Sequence, residues 1–441
     1  MASSTDLTIP PGRLPMVAVM TVTPEPAGTP APIRLTDLAR PQFSADAAPL
    51  LAAGAEMASA VSLEPDRLVH DAIAAAGGLD DFGPDGWQEP LDVLSSAYRC
   101  EAGLSRFGTV SIHAQLVQIL TNRLLLEDLV RRRPEVLHGR VEAPIVIAGL
   151  PRTGTTHLHN LLAADPALRS LPYWEAVEPL PAPNDPPDSI EPRVERCAGG
   201  LAMSDLFIPE MQRMHEMTAW HTHEEIHLLA MDCSTMFFDT LAPMPTWREY
   251  YRAADQTPHY RYLDRVLRVL QSVRPAGTRW VLKSPQHLEQ LGPLDAVFAD
   301  ATVVLTHRDP GDVVVSMTTM IAYSARMHLE VVDPVALGRH WTALLTDLLG
   351  SCVADRSLLP PERSLDVRFD DLMADEVATV AALYELAGQP LDDAARAAHL
   401  DYSSTHVRNR HGAVIYEPNV LGIEPVAVRA ALGDYCERFG V

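Results

Sequence analysis

The segment IVIAGLPRTGTTHLHNLL, residues 145–162, restricts the possible folds more than any other part of the chain. Apolar, largely β-branched residues run into Gly149, Gly154 follows five positions later, and an apolar helical pattern begins at once. Strand, glycine turn and helix in this order open a parallel α/β sheet. Such a turn aims several backbone N–H groups and the positive end of a helix dipole at one point, which makes an anion cradle. The glycine spacing is that of a phosphate loop, but Thr155 occupies the place of the lysine that grips the β- and γ-phosphates of a nucleotide. Arg152, three positions earlier, supplies a permanent charge and a planar fork instead.

Further along, short β-branched runs alternate with helical ones, and strands are expected over residues 145–148, 280–282, 302–306 and 365–369. In open α/β sheets ligands bind beyond the carboxyl ends of the strands. Lys283 follows the second run, in RWVLKSPQHL, and Arg308 follows the third, in TVVLTHRDPGDVVVS, with Ser316 in the first turns of the next helix. A lone cation after a strand is usually a solvated loop charge. Arg152, Lys283 and Arg308 at three consecutive edges form a joint pattern that points to an anionic ligand.

Composition narrows the partners. The chain has 441 residues, 47% of them apolar and 21% charged, as in an ordinary globular protein. A net charge of -23 argues against nucleic acid or an anionic membrane as partner, since both require a basic field. Five scattered cysteines, none in a C-x-x-C pair, suggest neither a disulfide framework nor a cysteine metal site, so a cytoplasmic location is expected. No apolar run reaches the roughly 18 residues of a membrane helix, and residues 14–20 lack the flanks of a secretory leader.

The expected architecture is α/β: a P-loop-like core whose parallel sheet is flanked by helices, preceded by a helical subdomain. Residues 1–45, rich in Pro, Thr and Ala, read as a flexible tail. Residues 46–140 carry apolar i, i+3, i+4 spacing and read as the helical subdomain. The α/β domain fills 141–441, with a helical insertion at about 180–275 over the ligand edge, where a substrate wall is commonly built.

At these residues the chain resembles the sulfotransferase superfamily. GLPRTGTT is similar to its 5′-phosphosulfate loop, and Arg308-Asp-Pro with Ser316 is similar to its 3′-phosphate motif. The helical extension resembles that of a bacterial branch. The resemblance implies that Arg152, Thr153, Gly154, Thr155 and Thr156 hold the 5′-phosphosulfate of 3′-phosphoadenosine 5′-phosphosulfate (PAPS), and that Arg308 and Ser316 hold its 3′-phosphate. It implies Phe369 against the adenine, and it matches a C-terminal basic loop more loosely at Arg408 to Gly412, with Arg410 as the candidate. No metal is implied.

Sulfuryl transfer depends on positioning and charge stabilisation, so Lys283 and Arg152 are expected to neutralise the oxygen from which sulfur departs. A base must take the acceptor's hydroxyl proton. The resemblance implies one candidate in Glu175, shortly after the loop helix, where some sulfotransferases carry a catalytic glutamate. His287, four residues after Lys283, is the competitor, and Glu175 is favoured. The Met-, His- and Trp-rich residues 200–250 suggest a small-molecule or lipid-like alcohol as acceptor, and a homo-oligomer is compatible with the sequence.

Two other readings exist. A P-loop nucleotide kinase or NTPase would use the same loop but lacks its lysine. His223-Glu-Glu-Ile-His227 is an H-E-x-x-H, which on a helix would turn two histidines to one face as zinc ligands with Glu224 as base of a hydrolase. No further ligand follows at the usual spacing, and among 17 histidines the pattern is expected by chance.

Overall fold

A computed structural model describes residues 30–406 and 409–441. Four helices come first, α1 (Ala47–Glu56), α2 (Pro65–Ala75), α3 (Gln88–Cys100) and α4 (Arg106–Arg132). Ser105 caps α4 by accepting the Gly108 N–H at 2.9 Å. Arg123, buried in α4, donates to the carbonyls of Phe82 and Pro84 and, at 2.6 Å, to the Asp232 carboxylate. That pair ties the N-terminal helices to the insertion, and removing one partner would leave a buried charge uncompensated, at a cost of about 3–5 kcal/mol.

The strands are β1 (Ile145–Gly149), β2 (Leu168–Arg169), β3 (Leu171–Pro172), β4 (Thr222–His223), β5 (Arg279–Ser284), β6 (Thr302–His307) and β7 (Ser364–Arg368). Five form a parallel sheet in the order β2-β5-β1-β6-β7, while β3 and β4 pair antiparallel as a separate ribbon. Helix α5 (Thr155–Ala163) follows β1, and α6 (Tyr173–Val177) and α7 (Glu191–Phe207) lead to β4. Helices α8 (Ile226–Ala230), α9 (Pro245–Ala253) and α10 (Thr257–Val273) complete the insertion. Helices α11 (Leu291–Val297), α12 (Pro310–Ser324) and α13 (Pro334–Asp355) surround β6 in sequence, and five further helices follow β7.

Every residue of β1 and β6 is buried, as continuous apolar runs in a parallel sheet should be. Alternation along β1 decides the packing. Val146 and Ala148 face a core shared with the N-terminal helices and α10, while Ile145 and Ile147 face one built from Leu158, Leu161 and Leu162 of α5.

The structure departs from the sequence expectations at several points. β5 is longer than the 280–282 run, and Lys283 lies within it, beside Ile147 of β1. β7 ends at Arg368, and Phe369 opens the next helix. β2, β3 and β4 are two residues each, too short to leave a periodic signal. Residues 1–29 of the expected tail lie outside the described residues, but its remainder packs on the body. The Ile33 N–H donates to the Ala413 carbonyl at 3.0 Å, Leu35 and Leu38 are buried, and Asp37 pairs with Arg326. The H-E-x-x-H segment does not form one helix: His223 ends β4 and His227 lies in α8.

Among the described residues, no helix is long and apolar enough to cross a membrane.

Candidate active site

β1 delivers the chain to Gly149, where a Cβ would stand 1.9 Å from Thr306 Oγ1 of β6, so only glycine permits this approach. The loop then turns through positive φ at Arg152 (74°) and Gly154 (89°) before α5 begins. This strained turn is held from inside: Thr153 Oγ1 lies 2.7 Å from the Leu150 carbonyl and 2.6 Å from Thr306 Oγ1. Arg308, just past β6, donates to the Arg152 carbonyl at 3.0 Å, and its guanidinium carbon sits 4.4 Å from the Phe369 ring centroid.

A cavity of about 290 Å³ opens over this loop, walled by Arg152, Gly154, Thr156, Arg308, Phe369 and Arg410. Six of the residues expected at a nucleotide site are thereby brought together. Thr153 and Thr155 are buried beneath the loop and take no part in the wall. Ser316 is buried in α12 and is also absent from the wall, but its Oγ has no hydrogen-bond partner among the described residues. Arg408 lies outside the described residues. Arg213, on the same wall, carried no signal in the sequence.

A second cavity, of about 600 Å³, shares Arg152, Thr156, Glu216 and Arg410 with the first. Its wall is rich in methionine, with Met211, Met214, Met236, Met317 and Met320 beside Phe237. Glu224 lines it. Lys283, buried in β5, makes an ion pair with the Glu224 carboxylate.

Neither expected base faces this cavity. Glu175 is buried, with Oε1 accepting from Arg274 at 2.8 Å and from Arg169 at 3.2 Å. This carboxylate is enclosed by two guanidinium groups and is not among the residues that line the cavity. Burial leads the forces that bring the Arg169 guanidinium down to about 10. His287 is fully buried, with Nδ1 2.7 Å from the Tyr260 hydroxyl and Nε2 against Glu225. The other Glu225 oxygen accepts the Lys283 backbone N–H at 2.8 Å. His287 and Glu225 therefore brace Lys283 from behind. The sequence did offer Glu224, but inside a motif whose obvious reading was zinc.

Histidines cluster on the same wall. His215, His221 and His223 place one ligating nitrogen each within 4.8 Å of one another. Burial, followed by the neighbouring Lys283, lowers His221 to about 4, and burial also holds His215 and His223 well below the usual histidine range. All three are neutral at neutral pH.

A parallel sheet with an anion cradle at one edge and two joined cavities is what a group-transfer enzyme needs, and comparison decides which group. Residues 144–393, from the residue before β1 to the first residue of the helix Asp393–Thr405, match the family model described as the sulfotransferase family. The chain belongs to the sulfotransferase family. It is similar to a sulfotransferase of Mycobacterium tuberculosis at 30% identity, over 83% of this chain and 97% of that one, with a TM-score of 0.72. It is also similar to a sulfotransferase of Mycobacterium avium at 25% identity, over 85% and 96% of the two chains, with a TM-score of 0.74. No curated protein matches the chain. The sulfotransferase match includes Arg152, Lys283, Arg308 and Phe369 and stops before Arg410. The reaction is sulfuryl transfer, and both the kinase and the zinc-hydrolase readings give way to it.

Proposed function

We propose that this sulfotransferase moves the sulfuryl group of PAPS to the hydroxyl of a largely apolar alcohol, with Glu224 as the base. One observation carries the reading: Glu224 lies on the wall of the larger cavity in an ion pair with Lys283, and Arg152 and Thr156 belong to the walls of both cavities.

The smaller cavity suits the donor. Its positive-φ loop and the α5 N-terminus present backbone N–H groups, which bind an oxyanion without a metal. Arg152 Nε and Ser316 Oγ, buried and without a hydrogen-bond partner among the described residues, are two further donors that an anion reaching them would satisfy. Arg152, Gly154 and Thr156 would hold the 5′-phosphosulfate, with Thr153 and Thr155 supporting the loop from beneath. Arg308 and Ser316 would hold the 3′-phosphate, Phe369 the adenine, and Arg410 the rim. PAPS supplies the sulfuryl group and a phosphate leaving group.

In this reading Glu224 accepts the proton of the acceptor hydroxyl, and the Lys283 ammonium beside it stabilises the negative charge that develops in the transition state. Glu225 and His287 fix the strand that carries Lys283. The larger cavity falls within the usual range for small-molecule sites, roughly 300–1,000 Å³. Its unbranched, polarizable methionines adapt to irregular apolar shapes, which favours an apolar alcohol over a sugar.

The test is binding followed by turnover. 3′-Phosphoadenosine 5′-phosphate should bind much more tightly than ATP, and Arg308→Ala should abolish the preference. Equal binding of the two nucleotides, unchanged by Arg308→Ala, overturns the donor assignment. Labelled PAPS offered with a panel of alcohols then identifies the acceptor, and an undiminished Glu224→Gln enzyme removes Glu224 from the mechanism.

A further inference from the structure

The histidines on the acceptor wall exceed what sulfuryl transfer requires. We propose that His215, His221 and His223 form a binding site for a divalent late first-row metal ion, of the zinc class, on the wall of the larger cavity. This reverses the sequence expectation of no metal, and it uses a different ligand set from the H-E-x-x-H pair.

Geometry and satisfaction of the rings support it. Zinc held tetrahedrally at about 2.0–2.1 Å by imidazole nitrogens sets them roughly 3.4 Å apart. The three nitrogens already lie within 4.8 Å of one another. His215 and His221 lie outside helices and strands and are only half-buried, so modest ring rotation closes the remaining gap. His223 is the anchored member. Its Nε2 lies 3.1 Å from His227 Nδ1, and its Nδ1 is buried without a hydrogen-bond partner among the described residues. If Nε2–H donates to His227, the Nδ1 lone pair is left bare. That is the arrangement of a metal-binding histidine whose second nitrogen is held by an outer partner.

Charge must also balance. Lys283 opposes a cation here, but its ammonium is paired with Glu224; Glu216, on the same wall, is itself paired with Arg410 and His411. All three histidines line the cavity, so the remaining coordination positions open onto it. Three protein ligands with an open position suit an exchangeable ligand, here water or an oxygen of the acceptor. Imidazole-only coordination selects zinc, cobalt, nickel and copper over magnesium or calcium.

The experiment is metal titration of the whole protein after chelator treatment and dialysis, with zinc measured by elemental analysis and cobalt(II) by its visible absorption. One equivalent should bind with a tetrahedral cobalt spectrum. His221→Gln and His223→Gln should each weaken binding at least tenfold, and His227→Ala should weaken it about 10–100-fold through loss of the outer partner. Because His223 is buried, the half-exposed His221→Gln protects the test from a folding defect, with circular dichroism as the check. Absence of stoichiometric binding, or binding unchanged in correctly folded His221→Gln, overturns the proposal. Either result leaves the donor assignment standing, since that is read from nucleotide binding.

Discussion

The Glu224 carboxylate is ion-paired to the Lys283 ammonium, joining a residue of the helical insertion to β5, the strand beside the central β1 that leads into the phosphate loop. The proposed proton acceptor and the strand's cation thus meet in one contact. Replacing Glu224 by Gln keeps the shape and removes the proton acceptor. The turnover number should fall by about 10²–10⁴-fold, with 3′-phosphoadenosine 5′-phosphate affinity little changed, as read by steady-state kinetics beside calorimetry.

Glu175→Gln should behave differently. The amide leaves Arg169 and Arg274 without their shared anion in a buried position, at a cost on the order of 3 kcal/mol. Denaturant unfolding should show that loss, while the turnover of folded enzyme stays near the parent value. A selective collapse of turnover without loss of stability would make Glu175 the base after all.

Gly149→Ala places a methyl group where Thr306 Oγ1 stands, in the interior of a fully buried strand pair. Neither strand can give way without moving the loop. Nucleotide affinity should drop at least tenfold, and the melting temperature should fall with it.

Acid should destabilise the fold through buried histidine. Burial lowers His328 to about 4, against about 6.5 in the unfolded chain. Between those values the unfolded state binds the extra proton, so stability contributed by the neutral ring is full above pH 6.5 and declines as pH falls toward 4. His328→Gln should remove about 1.4 kcal/mol per pH unit from the slope in that window, measurable by urea unfolding from pH 4 to 7.

Apolar acceptor binding can be probed at Met320, which lines the larger cavity only. Met320→Ser should raise the KM for apolar alcohols several-fold and leave nucleotide affinity unchanged. An unaltered KM for every accepted alcohol would place the acceptor elsewhere.

Local pattern carried much of this protein. The strand, loop and helix at 145–162, the cations near the ends of β5 and β6, and the parallel sheet are all written within short windows, because alternation and glycine spacing act over a few residues. Arg152, Gly154, Thr156, Arg308, Phe369 and Arg410 accordingly share one cavity wall. The proposed base and the histidine cluster emerge only in three dimensions. Glu175 meets Arg274 across 99 positions and Glu224 meets Lys283 across 59. Whether a carboxylate ends between two buried guanidinium groups or on a cavity wall depends on how the insertion packs over the sheet. No local period encodes that. The same packing broke the H-E-x-x-H segment between a strand and a helix, turned its first glutamate toward Lys283, and set His223 beside His215 and His221.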